Sequence, residues 1–159
     1  SDIKLCTLQS SDHDWVVSQH QALYARDEGF DASFGPLVDE ILTTFETRLD
    51  PSSDAGWIAC EGDMRLGCIF CVRQDAQTAK LRMFLLMPEA RGKGIGRQLL
   101  EQCMGFAISK GYVRMALWTH ESHKAACALY EQAGWHCVSS KPVVSFGVSL
   151  IEQQWEITL

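Results

Sequence analysis

Residues 91–100 read RGKGIGRQLL, with three glycines and three cations in the first seven positions and an apolar run behind them. Ahead lies an apolar strand pattern, and behind it Ile95, Leu99, Cys103, Phe106 and Ala107 recur at helical spacing as far as Ser109. Such a strand–loop–helix junction aims the unpaired N–H groups of the helix's first turn, and the positive end of its dipole, into the loop. No acidic residue occurs from Ala90 to Leu100, although the chain carries a net charge of −6. The stretch therefore reads as a cradle for a multiply charged anion such as a pyrophosphate, the alternative being a solvated helix start. Two nucleotide loops are excluded by counting. A dinucleotide fingerprint needs a glycine where Arg97 stands, and a P-loop needs Ser or Thr where Gly94 stands.

Working outward, IKLCTL (3–8) alternates as a first strand, closed by the turn-and-cap cluster Ser10, Ser11 and Asp12. From Asp14 onward, Val16, Val17, His20, Leu23 and Tyr24 predict a helix that Gly29 stops. A second helix, Gly35 to Arg48, carries Leu37, Val38, Ile41, Leu42 and Phe45 on one face. A loop (50–56) leads into a three-strand meander over 56–87. Past the glycine stretch and its helix, which Lys110-Gly111 ends, come a strand (112–119) and a helix from His123 to Ala133 capped by Gly134. WHCVSS, PVVSFG and QQWEITL supply closing strands. The order is mixed, with alternation of strand and helix confined to the second half.

Composition narrows the function. The 159 residues suit a single domain, 1–159. The acidic balance argues against a nucleic-acid backbone binder and suits a small or cationic substrate. No apolar run reaches the ~20 residues of a membrane span, and the opening SDIKLCTLQSSDHD lacks a leader's layout, so a soluble cytoplasmic protein is expected, without membrane or nucleic-acid partners. The absence of a starting methionine fits processing or a domain excised from a longer chain. Seven cysteines, at 6, 60, 68, 71, 103, 127 and 137, follow no framework spacing and read as core residues of a reducing compartment. Cys68 and Cys71 form a CxxC within a strand, where an offset of three turns them to opposite faces, so a shared metal is not expected. HESH (120–123) misses the HExxH zinc spacing.

LLMPEARGKGIGRQLL (85–100) resembles the acetyl-CoA motif of the GNAT N-acetyltransferases, and AACALYEQAGW (125–135) resembles that family's second signature. Two motifs on their predicted elements are far more specific than either alone. The resemblance implies an α/β (α+β mixed) GNAT fold, a mostly antiparallel mixed sheet of six or seven strands flanked by four helices. It implies acetyl-CoA as co-substrate with no metal. Backbone groups of Phe84, Leu85 and Leu86 would meet the pantetheine arm, and Arg91, Gly92, Lys93, Gly94, Ile95, Gly96 and Arg97 the pyrophosphate. A backbone N–H of that splayed strand would meet the developing oxyanion, and Tyr130 would be the general acid that protonates the departing thiolate.

The chain departs from the pattern at two positions. His123 stands where the family often has a cofactor-touching asparagine, and Trp118 where a member can carry a glutamate base. A lysine-like amine of pKa ~10.4 is neutral about one time in 2,500 at pH 7, so a base is needed. His120, Glu121 and Glu28 are the candidates, with no choice among them. WVVSQHQALYARDEGFDASFGPLVDEIL (15–42) also resembles the opening of the acetyltransferase domain fused behind MarR-type DNA-binding domains. The reading is an N-acetyltransferase acting on a primary amine, of a small molecule or a protein, by direct attack. A non-catalytic acetyl-CoA sensor of a larger regulator is the alternative, another phosphate-ligand binder a third, and a homodimer stays open.

Overall fold

The computed structural model describes residues 2–159. In chain order it contains β1 (Ile3–Thr7), α1 (His13–Glu28), α2 (Phe34–Arg48), β2 (Ala55–Glu61), β3 (Met64–Arg73), β4 (Thr78–Leu86), α3 (Ile95–Ser109), β5 (Arg114–His120), α4 (Lys124–Gln132), β6 (His136–Ser145) and β7 (Val148–Thr158). The strands form one seven-stranded sheet, ordered β1-β2-β3-β4-β5-β7-β6. Every neighbouring pair is antiparallel except β4 and β5. This is the mixed, mostly antiparallel sheet with four helices expected from the sequence.

The sheet buries apolar side chains on both faces. On one, Ile95, Leu99, Cys103 and Ala107 of α3 and Tyr130 of α4 pack against Trp57, Ile69, Leu81, Met115 and Trp155. On the other, Val16 and Leu23 of α1 and Val38, Leu42 and Phe45 of α2 cover Ile58, Cys68, Phe70, Leu85 and Leu150. Cys68 and Cys71 lie in these two different cores. Apolar positions at helical spacing thus became the buried stripes, although Leu37 of the predicted α2 face stays exposed.

Three boundaries differ from expectation, each for a local reason. α1 starts at His13, after a 3-10 turn, and Asp12 makes no side-chain cap to it. The Asp12 carboxylate instead accepts from the Gln9 N–H at 2.8 Å and pairs with Arg65 at 2.8 Å. WHCVSS and PVVSFG merge into one strand that runs through Pro142, which is tolerated because β6 is the sheet's edge and the missing N–H breaks no inner ladder. The β6–β7 turn is Phe146-Gly147, with φ of 53° and 78°. Phe146 holds that unusual backbone while its ring packs on Phe30 and Phe34, each 4.9 Å away, and its carbonyl accepts from Asp31 N–H at 2.9 Å.

Candidate active site

The site begins where β4 and β5 part. They pair only from Thr78–Arg114 to Lys80–Ala116. Beyond that, β5 follows β7 and β4 follows β3. A bulge in β4 accompanies the divergence: its register with β3 slips between Cys68 and Phe70, and Met83 has φ 49°. The Cys68 thiol donates to the Met83 carbonyl at 3.2 Å, so a buried side chain props the bulge. The free edge of β4 then faces a gap instead of a neighbouring strand.

That gap is a cavity of about 390 Å³. Phe84, Leu85 and Leu86 form one wall, and Leu23, Tyr24, Asp27 and Glu28 of α1 another. The N-terminal end of α4, from Ser122 to Ala126 with Leu129, and Arg91 complete it. Of the residues read from the sequence, Phe84, Leu85, Leu86, Arg91 and Glu28 meet here. The rest of the glycine stretch continues from Arg91 outside the lining.

In that stretch Gly92 and Gly94 have φ of 79° and 76°, and a Cβ on either would meet nothing within 4 Å. The first helical hydrogen bond of α3 runs from Gln98 N–H to Gly94 O at 3.1 Å, so the amides of its first turn precede the helical ladder. Ile95 points into the core and Gly96 abuts Leu129, so both can offer only backbone. Lys93 and Arg97 are exposed. Arg91 reaches Asp27 at 3.3 Å, and the flanking Arg26, more than Arg91, holds the Asp27 carboxyl below the usual range.

Titratable groups converge at the other end of the cavity. His123 Nε2 lies 3.2 Å from Glu28 Oε1, with the two side chains 16% and 14% exposed. His123 Nδ1 stands 3.4 Å from Thr119 Oγ1, and its ring meets Tyr24 edge-on at 5.1 Å. Burial pushes the His123 pKa below 6.5, Glu28 opposes, and nearby His120 lowers it further. His120, 5.4 Å away ring to ring, is also pushed down by burial, and its buried Nδ1 has no hydrogen-bond partner among the described residues. Glu121 points outward, 51% exposed and 3.5 Å from Lys124, so it is set apart from the cavity.

Tyr130 is only 3% exposed and stands behind the lining, its ring 6.2 Å from Phe84 and 5.7 Å from Trp135. Burial drives its pKa well above 10. Trp118, at 48% exposure, lies on the open sheet face outside the cavity. Sequence reasoning noted His123 only as a departure from a motif and missed Tyr24 and Asp27. The available signal was spacing: Tyr24, Asp27 and Glu28 share one side of α1 at offsets of three and four.

Among the described residues no group of three or more metal-ligating side chains occurs, and no helix is long and apolar enough to cross a membrane. Residues 15–135 match the model of the acetyltransferase (GNAT) family. A mycothiol acetyltransferase of Beutenbergia cavernae is 27% identical over 128 residues, which cover 79% of this chain and 41% of that protein. The match thus spans about two fifths of the curated relative. Among solved structures, an N-acetyltransferase from Staphylococcus aureus Mu50 superposes with a TM-score of 0.82 at 19% identity, covering 99% of both chains. An acetyltransferase from Salmonella typhimurium with its cofactor acetyl-CoA gives 0.81 at 17% identity, covering 100% of this chain and 95% of the other. At such identities the superpositions speak for the fold alone. The family model matches about three quarters of the sequence, glycine stretch and tyrosine signature included, and the chain belongs to the GNAT acetyltransferase family.

Proposed function

We propose that the chain is an acetyl-CoA-dependent N-acetyltransferase in which a primary amine attacks the acetyl thioester directly. The observation that carries this reading is the meeting, in one cavity, of the free edge of β4, the loop cation Arg91 and the Glu28–His123 pair. The glycine loop fits acetyl-CoA: the amides of the first turn of α3, three cations and the two left-handed glycines Gly92 and Gly94 suit a pyrophosphate. When bound, acetyl-CoA supplies an activated acetyl group and a thiolate leaving group. Gly92 to Arg97 hold the phosphates, with Arg91 exchanging Asp27 for them, and the backbone of Phe84, Leu85 and Leu86 orients the arm and offers an N–H to the developing oxyanion.

His123 and Glu28 manage the amine's proton. Burial keeps the imidazole neutral at pH 7, so it can accept a proton, and Glu28 at 3.2 Å stabilises the imidazolium that results. Tyr130 stays protonated across the neutral range because it is buried, and it gives that proton to the leaving sulfur. One observation favours a second reading, a non-catalytic acetyl-CoA sensor: Tyr130 stands behind the cavity lining.

Calorimetry and a thiol-release assay over an amine panel test both readings. Absence of binding at millimolar acetyl-CoA sinks the two together, and binding without turnover on any amine leaves the sensor. Tyr130→Phe and His123→Ala are each expected to lower kcat by about 10²-fold or more. An unchanged kcat in either variant removes that residue from the mechanism.

A further inference from the structure

Two cations on β4 lack any counterpart in the fold. Lys80 and Arg82 pair across to Val72 and Phe70 of β3, so their side chains stand on the α1–α2 face of the sheet. Both are half-buried, and burial lowers the pKa of each. Among the described residues, the charge that acts on Lys80 is that of Arg82, which repels it. Neither side chain makes an ion pair or hydrogen bond among the described residues. Partly desolvating two adjacent like charges with no carboxylate beside them costs stability, so an absent anion is the natural complement.

The location says what brings that anion. Pairing of β4 with β5 ends at Lys80–Ala116, and Arg82 and Trp118 are the next residues of the two strands on the same face. They flank the start of the gap that Glu28 and His123 line farther on. The indole of Trp118 is half exposed there, a large apolar surface on a part of the sheet that α1 and α2 leave uncovered. Arg82 lies three residues from Leu85, at most about 10 Å along the strand and less across the Met83 bulge.

We propose that the acceptor is an amine that also carries an anionic group, a carboxylate or phosphoryl, within about 10 Å of the amine. Its anion binds Arg82 and Lys80, its chain lies against Trp118, and its amine enters the split between β4 and β5. This rests on the acetyltransferase reading and names the acceptor class for the same site. Simple cationic acceptors such as diamines are disfavoured at Arg82.

The test compares 6-aminohexanoate and 5-aminopentyl phosphate with hexylamine and 1,6-diaminohexane. A charge-assisted contact predicts at least about tenfold higher kcat/KM for the anionic members, and the preferred one tells carboxylate from phosphoryl. Arg82→Gln is expected to abolish that advantage, with Arg82→Lys restoring part of it and Trp118→Ala weakening it. Since Arg82 has no partner to lose, Arg82→Gln should melt at or above the parent temperature; a clear drop in Tm would reveal a structural partner and overturn the premise. Equal rates on neutral and anionic amines, or an Arg82→Gln loss equal for all four, overturn the proposal while leaving acetyl transfer intact. If no amine turns over, calorimetry of 6-aminohexanoate against hexylamine on the coenzyme A-loaded protein decides it: no preference overturns the anion site on its own account.

Discussion

His123 concentrates the chemistry at the scale of single residues. Burial lowers its pKa below 6.5 while Glu28 resists the shift. The acidic limb of a kcat/KM–pH profile is therefore expected below 6.5, rising with pH as the imidazole loses its proton, and His123→Gln should remove that limb. A profile unchanged by the substitution assigns the limb to another group. Gly94 gives a second prediction. Its φ of 76° is left-handed and space around it is open, so Gly94→Ala strains the backbone without a clash. The variant should lose about 1 kcal/mol in urea denaturation and bind acetyl-CoA more weakly by calorimetry. Gly67 behaves differently, because a Cβ there would stand 2.7 Å from the Leu85 carbonyl oxygen. Gly67→Ala must shift backbone at the splayed strand and is expected to cost 1–3 kcal/mol by the same measurement. The glycine stretch was legible as a chain of letters because it sits in a local pattern, whereas Glu28 was one of three acid–base candidates that the letters did not separate. The His123–Glu28 contact was not legible, since it joins residues far apart in sequence through a helix whose rotation no local spacing fixes.

Among the elements, α1 carries two histidines that respond to pH in opposite senses. His13 bridges Asp39 at 2.6 Å and Glu46 at 2.5 Å on α2, and the hydrogen bond it donates to the Asp39 carboxylate leads in raising its pKa above 6.5. A raised folded pKa means that this clamp stabilises fully below 6.5 and fades as pH climbs through the folded value. His20, fully buried, donates from Nδ1 to the Val16 carbonyl at 2.7 Å, and its Nε2 has no hydrogen-bond partner among the described residues. Burial depresses its pKa to about 4, so the unfolded chain takes up the proton first. Stability is lost as pH falls from 6.5 toward 4, by roughly 3 kcal/mol at the bottom of that window. Denaturant titrations should find that His13→Gln costs more at pH 5.5 than at pH 8, and that His20→Leu flattens the acid slope. The reverse ordering contradicts these assignments. Helices α3 and α4 were readable because their stripes are strongly periodic and end in glycine. Strand β6 was split in the sequence reading because Pro142 looks like a terminator until the strand is known to be the sheet's edge.

For the molecule as a whole, the divergence of β4 from β5 is the feature that sequence hides best. Nothing in LRMFLL (81–86) marks the bulge at Met83, and the order β5-β7-β6 is set by pairings between distant segments. The family motifs supplied what periodicity could not. Because the cavity draws its walls from α1, β4 and α4, a ligand bound there joins both cores of the sheet. Acetyl-CoA at a hundred times its Kd is expected to add about 2.7 kcal/mol to stability, several degrees in Tm, and a scan with no shift speaks against binding in that cavity. The turn at Phe146-Gly147 carries a consequence for synthesis. Its aromatic ring and carbonyl complete the packing of the α1–α2 loop, which leaves the ribosome long before β6 and β7 do. The first helices wait with Phe30 and Phe34 uncovered by Phe146 until the β6–β7 turn emerges. The nascent domain thus carries an uncovered aromatic cluster, prone to aggregation, until β6 and β7 are made.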